Sequence, residues 1–246
     1  MAPGKLMLSD RLLKHVLSFS LKELDLPEGV GVLDPFNGPN AEEVRRIVKV
    51  FHRKYYSDNK PRALMLGINP GRLGAGSTGL SFTDTKRCES DLGIPVHGLR
   101  THEPSSDFFY RMIRGAGGPD AFYEKVYVHA ICPLGFVKPG PSGREINLNY
   151  YDDRALEQAV TPFVTHWLRT LVNCGMRTDV AFCIGTGKNA AYFEKLNASL
   201  GLFDRIIALE HPRFIMQYKA KFVDTYVRKY VNALVEVSPV TRAEGT

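Results

Sequence analysis

Two short segments of the chain combine chemically useful side chains with backbone that leaves them accessible. In Gly67-Ile68-Asn69-Pro70-Gly71 a carboxamide stands just past an apolar run, and Pro70 and Gly71 force a sharp turn after it. An amide does not take up a proton as a carboxylate does, but it donates and accepts at once and can hold a water in line with a reacting carbon. Asn, Pro and Gly are also ordinary turn residues, so the pentapeptide alone better suits a plain strand-to-loop turn. The Gly-rich continuation over 72–82, with Gly74, Gly76 and Gly79, weighs toward a ligand-facing loop. It is not a Walker loop, because no G-x-x-x-x-G-K-[ST] occurs. In His211-Pro212-Arg213 an imidazole offers a general acid or base, or a neutral hydrogen-bond donor. The following Phe214, Ile215 and Met216, beside Arg213, suit a wedge that enters a base stack. They equally suit the first turn of a helix that packs inward, and the sequence leaves both readings open.

Two further loops are candidates for phosphate contacts. Gly185-Thr186-Gly187-Lys188 offers backbone N–H groups and a lysine where a strand gives way to a helix, and Ser142-Gly143-Arg144 lies in a Pro/Gly-rich loop. Metal-ligand patterns are absent from the sequence: there is no H-E-x-x-H and no C-x-x-C pair. Asp152-Asp153, an adjacent acidic pair, reads as helix-start charge. Cys88, Cys132, Cys174 and Cys183 are expected to be reduced and mostly buried. Neither a metal nor a cofactor is expected.

The elements that must position these residues follow from hydrophobic spacing. Asn40 and Glu43 look like a capping box opening a helix from Ala41 to Tyr55. Short apolar runs at 62–68, 126–131, 179–184 and 205–209 read as buried strands, and helices are expected over 107–114, 161–173 and 188–200. The 161–173 helix would start at Thr161 and Pro162. A last helix would carry Met216, Ala220, Val223, Val227, Val231 and Leu234 on one face. Alternating strands and helices argue for an α/β fold: a three-layer αβα sandwich around a central, mainly parallel, four-stranded sheet. Ligands of such sheets bind beyond the carboxyl ends of the strands. There Asn69, Gly187 and His211 would meet, although they are far apart in sequence.

Length and charge set the remaining bounds. The 246 residues suit one domain over 1–237, with residues 1–60 as a helical extension packed on it and a disordered tail at 238–246. An excess of 32 Lys and Arg over 26 Asp and Glu fits a polyanionic partner such as DNA. No apolar run is long enough to span a membrane, and the N-terminal charges do not suit a signal peptide, so a cytoplasmic monomer is expected.

In order, Gly67-Ile68-Asn69-Pro70-Gly71, Thr78-Gly79-Leu80-Ser81-Phe82, Val128-His129-Ala130-Ile131-Cys132-Pro133-Leu134, Ser142-Gly143-Arg144 and His211-Pro212-Arg213 carry a family resemblance. The set resembles the single-strand-selective monofunctional uracil-DNA glycosylases of the uracil-DNA glycosylase superfamily, and more narrowly their bacterial second subfamily. The resemblance covers about 62–235. It implies a metal-free glycosylase of base excision repair that flips a damaged base out of DNA. It assigns Asn69 to the attacking water, His211 to the departing base, Phe82 to stacking on that base, and the loop after His211 to penetration of the duplex. Gly67, Ile68, Pro70, Gly71 and Gly79 would complete the base pocket.

Two features depart from the family: the loop after His211 reads Arg213-Phe214-Ile215-Met216-Gln217 in place of a longer Ser/Pro-rich stretch, and one pocket position differs. Where the family has an asparagine that reads the uracil edge, this chain has Ala130, whose methyl makes no such bonds. A wider substrate range is therefore expected, extending to xanthine, hypoxanthine or 5-hydroxymethyluracil. Asn147 and Asn149, in a loop after that strand, are candidates to replace the contact. Asp84 is an alternative base. No lysine matches a family nucleophile, so strand cleavage is not expected. Two rival readings are a catalytically silent nucleic-acid-binding relative and a metal-dependent hydrolase on the same scaffold.

Overall fold

The computed structural model describes residues 6–19 and 24–237. In chain order the first elements are α1 (Leu8–Val16), β1 (Gly31–Leu33), α2 (Ala41–Tyr55), β2 (Ala63–Gly67), α3 (Ala75–Thr78) and α4 (Thr85–Ser90). There follow α5 (Pro104–Gly115), α6 (Pro119–Tyr123), β3 (Val126–Ala130), β4 (Gly135–Pro139), β5 (Glu145–Leu148) and α7 (Arg154–Asn173). The chain continues through β6 (Ala181–Ile184), α8 (Lys188–Leu200), β7 (Ile206–Leu209), α9 (Pro212–Tyr218), a 3-10 turn (Ala220–Phe222) and α10 (Val223–Glu236).

Strands β3, β2, β6 and β7 lie side by side in that order, all parallel. Every residue of β2, β3 and β6 is buried, as expected when helices cover both faces of a parallel sheet. The fold is therefore α/β, with the four strands placed as their apolar runs predict. The chain steps from β2 to β3 on one side and then crosses to β6 on the other. That reversal makes a crevice at the carboxyl ends of the strands, the usual place for a ligand in such sheets.

The alternation of apolar runs does not reveal a second, three-stranded antiparallel sheet in the order β1, β4, β5. Its strands are short and half-exposed, and Pro and Gly around 139–143 disguise them as loop. Strand β1 also means that the first sixty residues are not purely helical. The expected tail at 238–246 lies outside the described residues.

Three local expectations are corrected. Asn40 makes no side-chain cap on α2; Glu43 instead pairs with Arg46 at 2.7 Å and accepts the His97 N–H at 2.7 Å. Helix α7 starts two turns before Thr161, where Asp153 accepts the N–H groups of Ala155 and Leu156. Pro162 thus sits inside the helix, and Asp153 bears out the helix-start reading of the acidic pair. The last helix is broken around Lys219, whose backbone leaves helical geometry between α9 and the 3-10 turn.

All four cysteines are buried and free. No helix among the described residues is long and apolar enough to cross a membrane. The core also holds neutral histidines. His52 Nδ1–H donates to the Val48 carbonyl at 2.8 Å, Nε2 accepts from the Tyr127 hydroxyl at 3.2 Å, and burial pulls the pKa down to about 4. His129, wedged against Trp167, is pulled down to about 3, by burial first and by His52 second. In the unfolded chain both bind a proton near the ordinary value, so between the two pKa values the unfolded state holds more protons. Stability therefore falls as the pH drops from 6.5 toward 4, by about 2 kcal/mol per histidine at pH 5. Calorimetry should show a lower Tm at pH 5 than at pH 7, and equal values would contradict the burial of neutral rings.

Candidate active site

A cleft of about 150 Å³ opens beyond the carboxyl ends of β2, β3 and β7. Asn69 enters it from the turn after β2, with its amide held at both ends. Nδ2 donates to the Leu148 carbonyl at 3.2 Å, and Oδ1 accepts the Tyr150 N–H at 3.2 Å. These two backbone contacts dictate which way the amide faces and leave one lone pair of Oδ1 unused. The same segment steadies the turn itself: Asn147 Oδ1 accepts the Arg72 N–H at 3.1 Å. Gly71 leaves room for that contact, since a Cβ there would lie 3.3 Å from Asn147 Nδ2.

Phe82 forms an aromatic wall. Its ring stacks on Phe109 with centroids 4.6 Å apart and planes at 17°, and lies 5.6 Å from the His211 ring. Its φ of 54° is the one positive value among the described non-glycine residues. A left-handed aromatic residue carries strain on the order of 1–3 kcal/mol, which surrounding structure must offset. Thr78 does part of this: its hydroxyl donates to the Thr83 carbonyl at 2.7 Å and accepts the Leu80 N–H at 3.2 Å. Gly67 is bare because the ring needs its space, and a Cβ there would fall 2.9 Å from Phe82 Cζ. On the stacking role that the resemblance implies for Phe82, Gly67→Ala should displace the ring and weaken capture of a stacked base by about 1–3 kcal/mol. Wild-type affinity of Gly67→Ala for a base-containing ligand would contradict the packing.

His211 caps α9. The Arg213 N–H donates to its Nδ1 at 3.1 Å, so the proton of the neutral ring sits on Nε2. Burial, and next the Arg213 charge, pull its pKa down to about 4. The preceding residue is anchored by the Tyr230 hydroxyl, which donates to the Glu210 carbonyl at 2.5 Å, and by Lys229, paired with the Glu210 carboxylate at 2.8 Å. The result is a fixed, uncharged N–H donor in the cleft.

Most of the expected pocket residues come together: Gly67, Ile68, Asn69, Pro70, Gly71, Phe82, Ala130, His211 and Arg213 all line the cleft. Asn147 and Asn149 line it as well. Gly79 does not; it ends α3 with φ 73° and packs against Val48 of α2. Gly187 and Lys188 begin α8, and Ser142, Gly143 and Arg144 form the exposed turn between β4 and β5, all outside the cleft lining. After Arg213, Phe214 is 41% exposed and Met216 is half-buried, but Ile215 is fully buried. Ile215 thus takes the inward-packing alternative, because α9 turns that face onto the core. Asp84 is fully buried, and its carboxylate accepts from the Arg87 and Glu103 N–H groups and the Ser106 hydroxyl. Those bonds make it a structural cap and leave it no access to a substrate. Sequence reading missed Glu103, Ser105 and Ser81, which line the cleft from the connection between β2 and β3. The sole signal for Glu103 was its place before Pro104 at a helix start. Among the described residues no group of three His, Cys, Asp or Glu could hold a metal ion.

Comparison with known proteins then decides the family. The model of the uracil DNA glycosylase superfamily matches residues 53–235. The chain belongs to the uracil-DNA glycosylase superfamily. Among curated members, the single-strand selective monofunctional uracil-DNA glycosylase of Rattus norvegicus is 31% identical over 151 residues, covering 53% of this chain and 50% of that protein. Its Bos taurus counterpart is 32% identical over 115 residues, covering 39% of this chain and 42% of that protein. The match thus spans about half the length of the curated relatives. A crystal structure of wild-type SMUG2 from Pedobacter heparinus superposes with a TM-score of 0.90 at 44% identity, covering 94% of this chain and 98% of that one. In this superfamily member the cleft occupies the strand ends to which the motifs pointed.

Proposed function

We propose that the protein is a monofunctional DNA glycosylase that hydrolyses the N-glycosidic bond of uracil in base excision repair. With no polar side chain at Ala130, its substrates extend to xanthine, hypoxanthine or 5-hydroxymethyluracil. The observation that carries this reading is the forced tautomer of His211, whose Nε2–H shares one cleft with the clamped amide of Asn69 and the ring of Phe82.

Breaking the bond leaves positive charge on the sugar and negative charge on the departing base. A neutral N–H donor fixed in the cleft stabilises that anion as it forms, without reorganising. The unused lone pair of Asn69 Oδ1 holds the attacking water, and Phe82 stacks on the flipped base. Residues lining the cleft include no lysine, which supports hydrolysis without an imine to the sugar. The chain works as a monomeric single domain. DNA lies across the strand ends, where Phe214, Tyr218 and Phe222 are exposed beside Arg213, Lys219 and Lys221. Gly187, Lys188, Ser142, Gly143 and Arg144 flank that path as phosphate contacts.

Oligonucleotides carrying uracil, xanthine, hypoxanthine or 5-hydroxymethyluracil, incubated with the protein in EDTA and then treated with alkali, test the reading. Breaks at the lesion only after alkali are expected, from uracil at least. Binding without breaks on any lesion, in single or double strands, would instead make the protein a silent DNA-binding relative.

A further inference from the structure

Glu103 is the single acid among the residues that line the cleft, and no step proposed above uses it. It stands at the N-cap of α5, where its N–H donates to Asp84 at 2.9 Å. Its side chain lies against Gly74. A Cβ on that glycine would collide with Oε2 and lie 2.9 Å from Oε1, so the loop is bare where the carboxyl group needs room. Oε2 is sealed from solvent without a hydrogen-bond partner, whereas Oε1 is not sealed.

A carboxylate with one oxygen sealed and unpartnered is costly, and the neutral acid relieves most of that cost. Burial raises the pKa to about 7, Arg213 opposes the rise and Asp84 adds to it. The sealed oxygen also decides where the proton sits. A buried O–H without an acceptor is worse than a carbonyl oxygen without a donor. The carbonyl therefore rests at Oε2 against Gly74, and the O–H is on Oε1, the unsealed oxygen of a residue that lines the cleft.

Deamination replaces an exocyclic amino group, a donor, with a carbonyl, an acceptor. An O–H held on Oε1 meets that carbonyl favourably and meets an amino group donor to donor. Moving the proton to Oε2 to suit an amino group would strand the O–H against Gly74. We infer that Glu103, as a neutral acid, is a specificity-determining residue that donates from Oε1 to a carbonyl oxygen of a flipped, deaminated base. It supplies the polar reading that Ala130 lacks. The inference rests on the glycosylase reading above.

The charged and titratable groups facing Glu103 are Arg213 from α9, Asp84 from the loop before α4, His102 bonded to Asp84 at 3.2 Å, and His211 in the same cleft. Comparison with Glu103→Gln separates Glu103 from them, because their titration would move both proteins alike. Single-turnover release of uracil and xanthine is measured at pH 6 and pH 8.5 for wild type, Glu103→Gln and Glu103→Ala. Wild type should slow by about tenfold or more at pH 8.5, where the acid has ionised. Glu103→Gln keeps a donor at every pH; it should stay within about threefold of wild type at pH 6 and lose the alkaline fall. Glu103→Ala should lose about tenfold at pH 6, the value of one such bond.

The same alkaline fall in wild type and Glu103→Gln, or wild-type rates in Glu103→Ala, would overturn the inference. So would Glu103→Gln as slow as Glu103→Ala, which would make the carboxylate the needed form. Should melting curves show that Glu103→Ala does not fold, the pH profiles of wild type and Glu103→Gln decide alone. If wild-type protein releases no base at either pH, the glycosylase reading fails and this inference falls with it. Active wild type with indifferent variants sinks this inference only.

Discussion

Asn69→Ala is expected to slow uracil release by roughly a hundredfold or more while oligonucleotide binding changes little. The side chain contributes position rather than proton transfer, so its loss removes an aligned water and not a binding surface. The clamp makes the prediction specific. With Nδ2 committed to Leu148 and one lone pair of Oδ1 to Tyr150, the amide has a single orientation, and its free lone pair has one direction. Asn69→Asp should not rescue the rate. A carboxylate oxygen would face the Leu148 carbonyl, and like partial charges would push the group out of place. Alanine also leaves the Tyr150 N–H without its partner, so a loss of about 1–3 kcal/mol in stability should accompany the loss in rate. Rates are therefore to be compared well below the variant's Tm. Single-turnover release within threefold of wild type would remove Asn69 from the mechanism.

His211→Ala is expected to cost between about ten- and a thousandfold, the range for one donor to a developing anion. The loss should fall on the chemical step, because the ring bonds to the base most strongly when the base carries charge. The pH dependence carries a sign. Because the ring stays neutral down to about 4, its donor role persists unchanged from pH 8 to pH 5. Below that range the ring gains a proton on Nδ1, loses the Arg213 N–H bond and places a second positive charge beside Arg213. An acid limb near 6.5 in the kcat profile that vanishes in His211→Ala would contradict the neutral ring. Unchanged rates in both Asn69→Ala and His211→Ala would remove the proposed chemistry altogether.

Much of the architecture could be read from the chain because its signals are local. Four largely apolar runs become four parallel strands, three of them wholly buried, and the turn residues after β2 and β7 come to line one cleft. Less visible were features made by partners distant in sequence. The β4–β5 hairpin gains its pattern only when β1 pairs with it, and half of its residues face solvent. Pro104 after Glu103 marks a helix start but no ligand; the meaning of Glu103 comes from Gly74, twenty-nine residues earlier, and from Arg213 across the cleft. Helix starts misled for a simpler reason. Thr161-Pro162 is a good opening on paper, but Asp153 caps the helix earlier, and Val160, Val164 and Leu168 bury one face across the proline. Packing of that face outweighs the local preference for a start.

The grip on Asn69 has a consequence for how this protein can change. It is made by main-chain atoms of Leu148 and Tyr150, so no particular side chain there forms the two bonds. Substitutions of the exposed non-glycine residues over 141–146 can accumulate without disturbing the amide, provided that the count of residues stays the same. A single inserted or deleted residue between β5 and Asp153 would offer the amide the wrong pair of backbone groups, even with every motif intact. The hairpin thus behaves as a gauge, tolerant of spelling and intolerant of length.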